Sequence, residues 1–440
     1  MQTDDKNDAA GKKATRLQLT AGNQPPPNLS EQMIMEILLR LPVRTLCCMK
    51  IVCSSWKTLI SSPDFVWNHL HYSSLRDPTL TPARIAYYRC ALTSSGVKYC
   101  GIGVLSVPSM LDKVSDEPTK VACFEGLRYY QICGSCHGLL CLFNDDGHRT
   151  HAILWNPCTG FTFQSPDIHG QVCLSGFGYD RLSDTFKFFG IIKSSVLSGS
   201  EFITRIYTFG PTPTWRRIDD LPNGLPDVGV DQHGVDDNTK GVYFSSGKAC
   251  TVNWSFSGDN MAIYFDLGKE TYGHFPLPHR VIENNHYLRN VGPHLCVLGN
   301  FLSVCYEDKT TKEWILWQMK EYGDPQSWTV LARIPINPQV FYPDRDHCLK
   351  PLYISGRGLL LAITSSFRVV LVNLNDDSFD FPVIDGSMEM ENQPSFPQCL
   401  GSGKIYIYHE SLVSPNGLQS NSSNKTLLQF IKPKSKAIVS

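Results

Sequence analysis

Residues Cys133-Gly134-Ser135-Cys136-His137 spell Cys-x-x-Cys-His, the spacing through which a c-type haem is attached. Extended to Gly138, the stretch also reads Gly-x-Cys-x-Gly, which could act as a nucleophile elbow presenting the Cys136 thiol. Two cysteines so spaced could further supply half of a zinc site. Each chemistry makes a demand on its surroundings. Haem attachment needs an oxidising compartment and a loop or helix to hold the motif. An elbow needs a strand turning sharply into a helix, with His and Asp partners placed by an α/β fold. Zinc needs a second ligand pair, and Cys123, Cys158 and Cys173 do not repeat the motif. Leu139-Leu140-Cys141-Leu142 instead follows at once as an apolar, strand-like run. The reading that fits is a sheet strand carrying small, buried, inert thiols.

Other chemistry-bearing patterns are weaker. Gly101-x-Gly103 and Gly176-x-Gly178 lack the third glycine and the following helix of a dinucleotide site. Thirteen histidines show no His-Glu-x-x-His and no paired spacing. No catalytic constellation, metal set or cofactor motif is expected. Trp155, Trp215, Trp254, Trp314, Trp317 and Trp328 are spread along the chain and read as core anchors.

The elements that would position such groups come in two kinds. Residues 1–27 are polar and end in Gln-Pro-Pro-Pro, a disordered leader running into a stiff spacer. From 28 to 72 the pattern is helical. Ser30 is a natural N-cap, and Ile34, Ile37, Leu38 and Leu41 form one apolar stripe that Pro42 ends. A second short helix runs through Leu46 and Met49. Val52, Trp56, Leu59 and Ile60 make a third stripe, closed by Pro63. Three helices of this size bury too little to stand alone. Their stripes must be completed either by another protein or by the rest of this chain.

After a linker at 73–83, the stretch 84–413 turns to short strands broken by Gly, Pro, Asn and Asp. Five segments there share one plan of strand, polar turn, strand and proline: 153–166, 206–222, 263–278, 316–335 and 370–382. Their closing prolines stand at 166, 222, 278, 335 and 382. A period of about 50 residues with four strands each marks kelch-type propeller blades. Six blades are expected, the last closed by 84–107 pairing with 403–409. The tail, 414–440, is rich in Ser, Asn and Lys and reads as disordered.

Bulk composition narrows the classes. Hydrophobic residues make up 42% of the 440, ample for a core, and 40 basic side chains face 41 acidic ones. Such a balance gives no general attraction to nucleic acid or an anionic membrane. Sixteen scattered cysteines are too few for a disulfide scaffold, and the first residues lack the apolar core of a secretory signal. The sequons at Asn253, Asn421 and Asn424 are then chance matches. No apolar run reaches the roughly 18–20 residues that span a bilayer. A reducing compartment is expected, cytoplasmic and/or nuclear.

Two resemblances sharpen this. Glu36 to Val43 (EILLRLPV), Val52-Cys53-Ser54-Ser55-Trp56, Leu59-Ile60 and Pro63-x-Phe65 resemble an F-box, in order and at the family's spacing. One departure is Ser30, where the family usually has proline after the leucine. That loosens the first contact, although Ser30 still caps the helix. Cys136 to Leu142, Trp155-Asn156-Pro157-x-Thr159-Gly160, Gly176 to Asp180 and Tyr408 to Pro415 resemble the F-box-associated domain of plant F-box proteins, a kelch-like family.

The resemblance implies a mainly β chain: a three-helix F-box followed by a β-propeller of about six blades. It implies docking of a Skp-family adaptor, and through it cullin, by Leu29, Met33, Ile37, Leu41, Pro42, Leu46, Val52 and Trp56. An unidentified target protein would meet the propeller and be brought to a ubiquitin-conjugating enzyme. The chain itself would do no bond-making. The competing class is a propeller that binds a glycan or small molecule without any ligase role.

Overall fold

The computed structural model describes residues 29–92, 98–112, 119–122, 130–145, 149–196, 199–210, 212–218, 240–247, 249–256, 260–278, 293–337, 341, 348–365, 368–382 and 405–415. The expected leader, the loop at 223–239 and the tail from 416 lie outside the described residues, as do Asn421 and Asn424.

Six four-stranded antiparallel cores stand in a ring, one of them extended by a short fifth strand. The chain is thus mainly β, a six-bladed propeller with helices at its N-terminal side. The first blade is Ala83–Leu92, Lys98–Ser106 and Thr119–Ala122, and its innermost strand comes from the far end of the chain, Ile405–His409. The register runs from Ala83 opposite His409 to Tyr87 opposite Ile405. This is the pairing expected from sequence, and it closes the ring without leaving an open inner edge.

The five sequence repeats are each the outer half of a blade. Residues 153–166, for example, hold the end of Arg149–Trp155 and all of Thr162–Gln164, the third and fourth strands of the second blade. Blade one has no such repeat because it is assembled from both ends of the strand-rich region. Between neighbours, tryptophans tie blade to blade. The Trp215 indole donates to the Pro166 carbonyl at 2.9 Å, Trp254 to Ser175 at 3.0 Å, and Trp328 to Pro276 at 3.3 Å. Trp155, Trp254 and Trp314 are fully buried and Trp328 nearly so, while Trp215 and Trp317 are half-buried. Asn253 is buried and bonds to the Val242 carbonyl, the Thr251 hydroxyl and the Tyr322 hydroxyl, out of reach of any glycosylation.

The cysteine stretch is a hairpin. Tyr130–Cys136 is the innermost strand of blade two and Leu139–Asp145 the next, joined by a two-residue turn at His137-Gly138. Both turn residues take positive φ, 50° and 80°, as a type I′ turn requires. Any side chain at Gly138 would run into Ser411. Cys133, Cys136 and Cys141 are buried, and burial pushes the Cys136 and Cys141 thiols well above their ordinary range. With strand continuing past the turn, the arrangement is neither an elbow nor a haem-binding loop.

Where three helices were expected, four stand: α1 (Glu31–Leu38), α2 (Val43–Met49), α3 (Ser54–Ser61) and α4 (Pro63–Leu75). Ser30 caps α1 as expected, accepting from the Met33 amide at 3.3 Å. Pro63 starts a helix rather than closing one. It sits in the first turn of α4, where its missing N–H is no loss and its fixed φ suits the helix. Ser62 caps that helix through the Phe65 amide. A short turn of helix at Pro78–Leu80 then leads directly into the strand that begins at Ala83.

Candidate docking surface

The helices have an inner and an outer face, and the propeller covers only the inner one. On the inner face, Leu38, Val43, Leu46, Ile60 and Phe65 are buried in one cluster with Cys133, Cys136, Leu139, Leu412 and Val413 of the propeller. Trp67 of α4 packs on His137 and Tyr179, with ring centroids 5.3 Å and 5.2 Å away. Polar ties reinforce the seam. Glu410 is 1% exposed and accepts from the Arg44 guanidinium of α2 and from Arg84 of blade one, both at 2.8 Å. Asn156, also buried, donates to the carbonyls of Ser411 and Val413 and accepts from the amides of Cys158 and Thr159. The Trp-Asn-Pro turn therefore grips the segment that closes the ring, beyond shaping its own loop. The propeller is what keeps the inner stripe dry.

The outer face has no cover among the described residues. Leu29, Met33 and Ile37, at spacing i, i+4 and i+8, lie about half exposed along α1 and its entry. Ile51 and Val52, in the turn before α3, are 87% and 60% exposed. Large apolar side chains at this exposure, five within 24 residues, are the signature of an interaction surface rather than of a monomer's finished exterior.

The eight residues expected at this surface divide three ways. Leu29, Met33, Ile37, Pro42 and Val52 are exposed and available. Leu41 and Trp56 are half-buried against the shared core. Leu46 is 0% exposed and belongs wholly to the interior, because α2 turns it toward the propeller. Ile51 went unnoticed in the sequence. It falls between helices, where periodicity carries no signal, though its position beside Val52 in a turn could have flagged it.

Among the titratable groups of the seam is His137. His137 is partly covered by Trp67, Tyr179 and Phe186, and its Nε2 is sealed from solvent with no hydrogen-bond partner among the described residues. Burial, helped by the nearby Arg181 charge, pushes the imidazole down to about 4. The unfolded chain binds this proton below its ordinary 6.5, so the histidine's stability contribution is complete above 6.5 and is lost as pH falls toward 4. His137→Asn keeps the positive-φ turn, since Asn tolerates that conformation. Its thermal midpoint should decline less than the parent's between pH 6.5 and 4. Burial also lowers His69, which bonds to the Leu41 carbonyl, and accounts for part of the decline that remains.

Among the described residues, no group of three or more His, Cys, Asp or Glu side chains could hold a metal ion, and no helix is long and apolar enough to cross a membrane.

The profile of the F-box associated beta propeller domain matches residues 98–355, and that of the F-box domain matches residues 26–68. An F-box/kelch-repeat protein of Arabidopsis thaliana is 28% identical over 402 residues, covering 89% of this chain and 97% of its own length. A putative F-box protein of the same plant is 24% identical over 328 residues, 72% of this chain and 81% of its own. Among solved structures, a periplasmic gluconolactonase of Pseudomonas aeruginosa aligns at TM-score 0.36 and 12% identity over 68% of this chain and 82% of that one. So slight a likeness carries no argument.

Proposed function

Because the chain belongs to the F-box-associated β-propeller family and carries an F-box ahead of that domain, we propose that it is the substrate-recognition subunit of an SCF-type ubiquitin ligase. The F-box docks a Skp-family adaptor and through it the cullin, while the propeller binds the target protein. This chain makes and breaks no bonds. It raises the effective concentration of target beside a ubiquitin-conjugating enzyme, which accelerates transfer by proximity alone. It works in the cytoplasm, the nucleus or both.

The observation that carries the reading is the division of the helical faces. The inner face is completed by the propeller, yet Leu29, Met33, Ile37, Ile51 and Val52 stay uncovered. A helical cap used only for structure would have no reason to leave its outer stripe apolar. Five of the eight residues named from sequence lie on that outer side. Co-expressed with a Skp-family adaptor, the intact chain should purify as a one-to-one complex stable through gel filtration. Elution of the folded chain without the adaptor would overturn the reading.

A further inference from the structure

The helices and the propeller do not close on each other everywhere along their seam. Between the end of α2, the start of α4, the turn at 156–161 and the segment that follows the closing strand lies a cavity of about 490 Å³. That size falls within the roughly 300–1,000 Å³ of small-molecule sites, which favour the junction of two structural units.

The walls are fixed. Buried Asn156 holds two of them at once, the turn that carries Thr159 and Phe161 and the segment that carries Leu412. It accepts from the Cys158 and Thr159 amides on one side and donates to the Ser411 and Val413 carbonyls on the other. Trp67 is held by His137 and Tyr179. An occupant would therefore have to order little of the protein on entering.

The lining is largely apolar and carries a single charge. Trp67, Phe161 and Leu412 supply apolar wall, Thr159 and Ser414 bring hydroxyls, and Lys50 at the end of α2 brings an ammonium. No carboxylate is among the described residues that line it. Lys50 is half-buried, and neither titratable side chain that acts on it neutralises it. Lys57 is a like charge, and Cys47 is a thiol that burial pushes up and so keeps uncharged. Burial accordingly lowers Lys50 from its ordinary value, with no carboxylate to offset the lost water. Such a lining is complemented by an apolar body bearing one negative charge.

We propose that this seam cavity binds a small apolar monocarboxylate, its carboxylate on the Lys50 ammonium and its apolar body against Trp67, Phe161 and Leu412. The cavity lies on the inner side of the helices, and its test involves neither adaptor nor ubiquitin transfer.

The test is calorimetric titration of 2-naphthoate and octanoate into the full chain, beside their uncharged amides. Saturable one-to-one binding of at least one acid is expected, about tenfold or more tighter than its amide, as a charge-assisted contact requires. Which acid binds tells a flat ring from a flexible chain. Lys50→Met should weaken binding to the same extent, and Lys50→Arg should recover most of it. Ser414 is exposed, so Ser414→Trp obstructs the cavity while taking nothing from the core. It gives a second reading if Lys50→Met fails to fold. Absence of saturable binding by both acids would overturn the proposal, as would equal affinity for acid and amide, or full affinity in either folded variant, Lys50→Met or Ser414→Trp. So would saturable binding of inorganic phosphate with neither acid bound, which would reassign Lys50 to a phosphate ligand.

Discussion

Adaptor capture is expected to collapse in a chain carrying Ile37→Asp together with Val52→Asp, while the propeller remains folded. Both side chains are about half or more exposed in the free chain, so the substitutions take nothing from the core. In the complex each carboxylate would be driven into an apolar interface without a partner, the situation that makes truncations and charges at hot spots cost about 2 kcal/mol or more. One such loss is roughly thirtyfold in affinity, and the pair should bring capture below detection in a co-purification. Leu41 and Trp56 are poorer probes, because both also pack against the buried cluster that joins helices to propeller. A Trp56→Ala chain would lose adaptor binding and stability together. Removing 28–72 altogether would be less clean still, since it would strip the cover from Cys133, Cys136 and Leu139. The measurement is adaptor binding beside a thermal melt of the same preparation. Undiminished binding by the folded double variant would exclude this face as the docking surface.

The second large effect lies far from that face. Lys187, on the long second strand of blade three (Thr185–Val196), is 4% exposed and tied to the turn of blade four. Its ammonium donates to the Leu267 carbonyl at 2.7 Å and pairs with Asp180 and Glu270 at 3.0 Å each. Arg216 completes the group, 2.7 Å from Glu270. Burial alone would raise the Asp180 carboxyl, yet hydrogen bonds from Ser183 and Lys187 outweigh it and leave the group below its ordinary value. Glu270 is likewise lowered against the pull of burial, by Arg216 and Lys187. Lys187→Met takes the ammonium partner from the buried Asp180 carboxylate, while Glu270 keeps Arg216, and the loss should cost about 3–5 kcal/mol of stability. Adding Asp180→Asn should restore part of that loss, since the two sites share one interaction. Denaturant midpoints of the single and double variants give the comparison. The parent's own cluster contributes fully above the ordinary carboxylate range and fails as pH falls through the lowered values.

Much of the architecture could be read locally. Ser30 as a cap, the positive-φ glycine at 160 after Asn156-Pro157, and Asp377 in the last repeat's turn all answer to residue-level rules, and all are observed. The prolines at 166, 278, 335 and 382 stand at or two residues beyond the end of an outer strand, where the chain leaves the sheet, and Pro222 lies outside the described residues. The inner strands were less legible. They are buried on both faces and carry no alternation, so the cysteine stretch could be read as strand but not as a hairpin turning at His137. Pro63 shows the limit of punctuation: a proline can end one helix or begin another, and only the Ser62 cap geometry tells which.

Apolar periodicity over 29–60, the blade repeat and the turn chemistry were determined by the amino-acid order itself, because they rest on interactions within a few residues. Which stripe would be covered was decided only by folding. Leu46 and Ile37 are both apolar residues in amphipathic helices, yet one is sealed by blade two and the other faces solvent. Nothing local distinguishes them. Burial depends on what the rest of the chain brings alongside, and here Glu410 and Leu412, more than 360 residues after α2 begins, help to hold the helices in place.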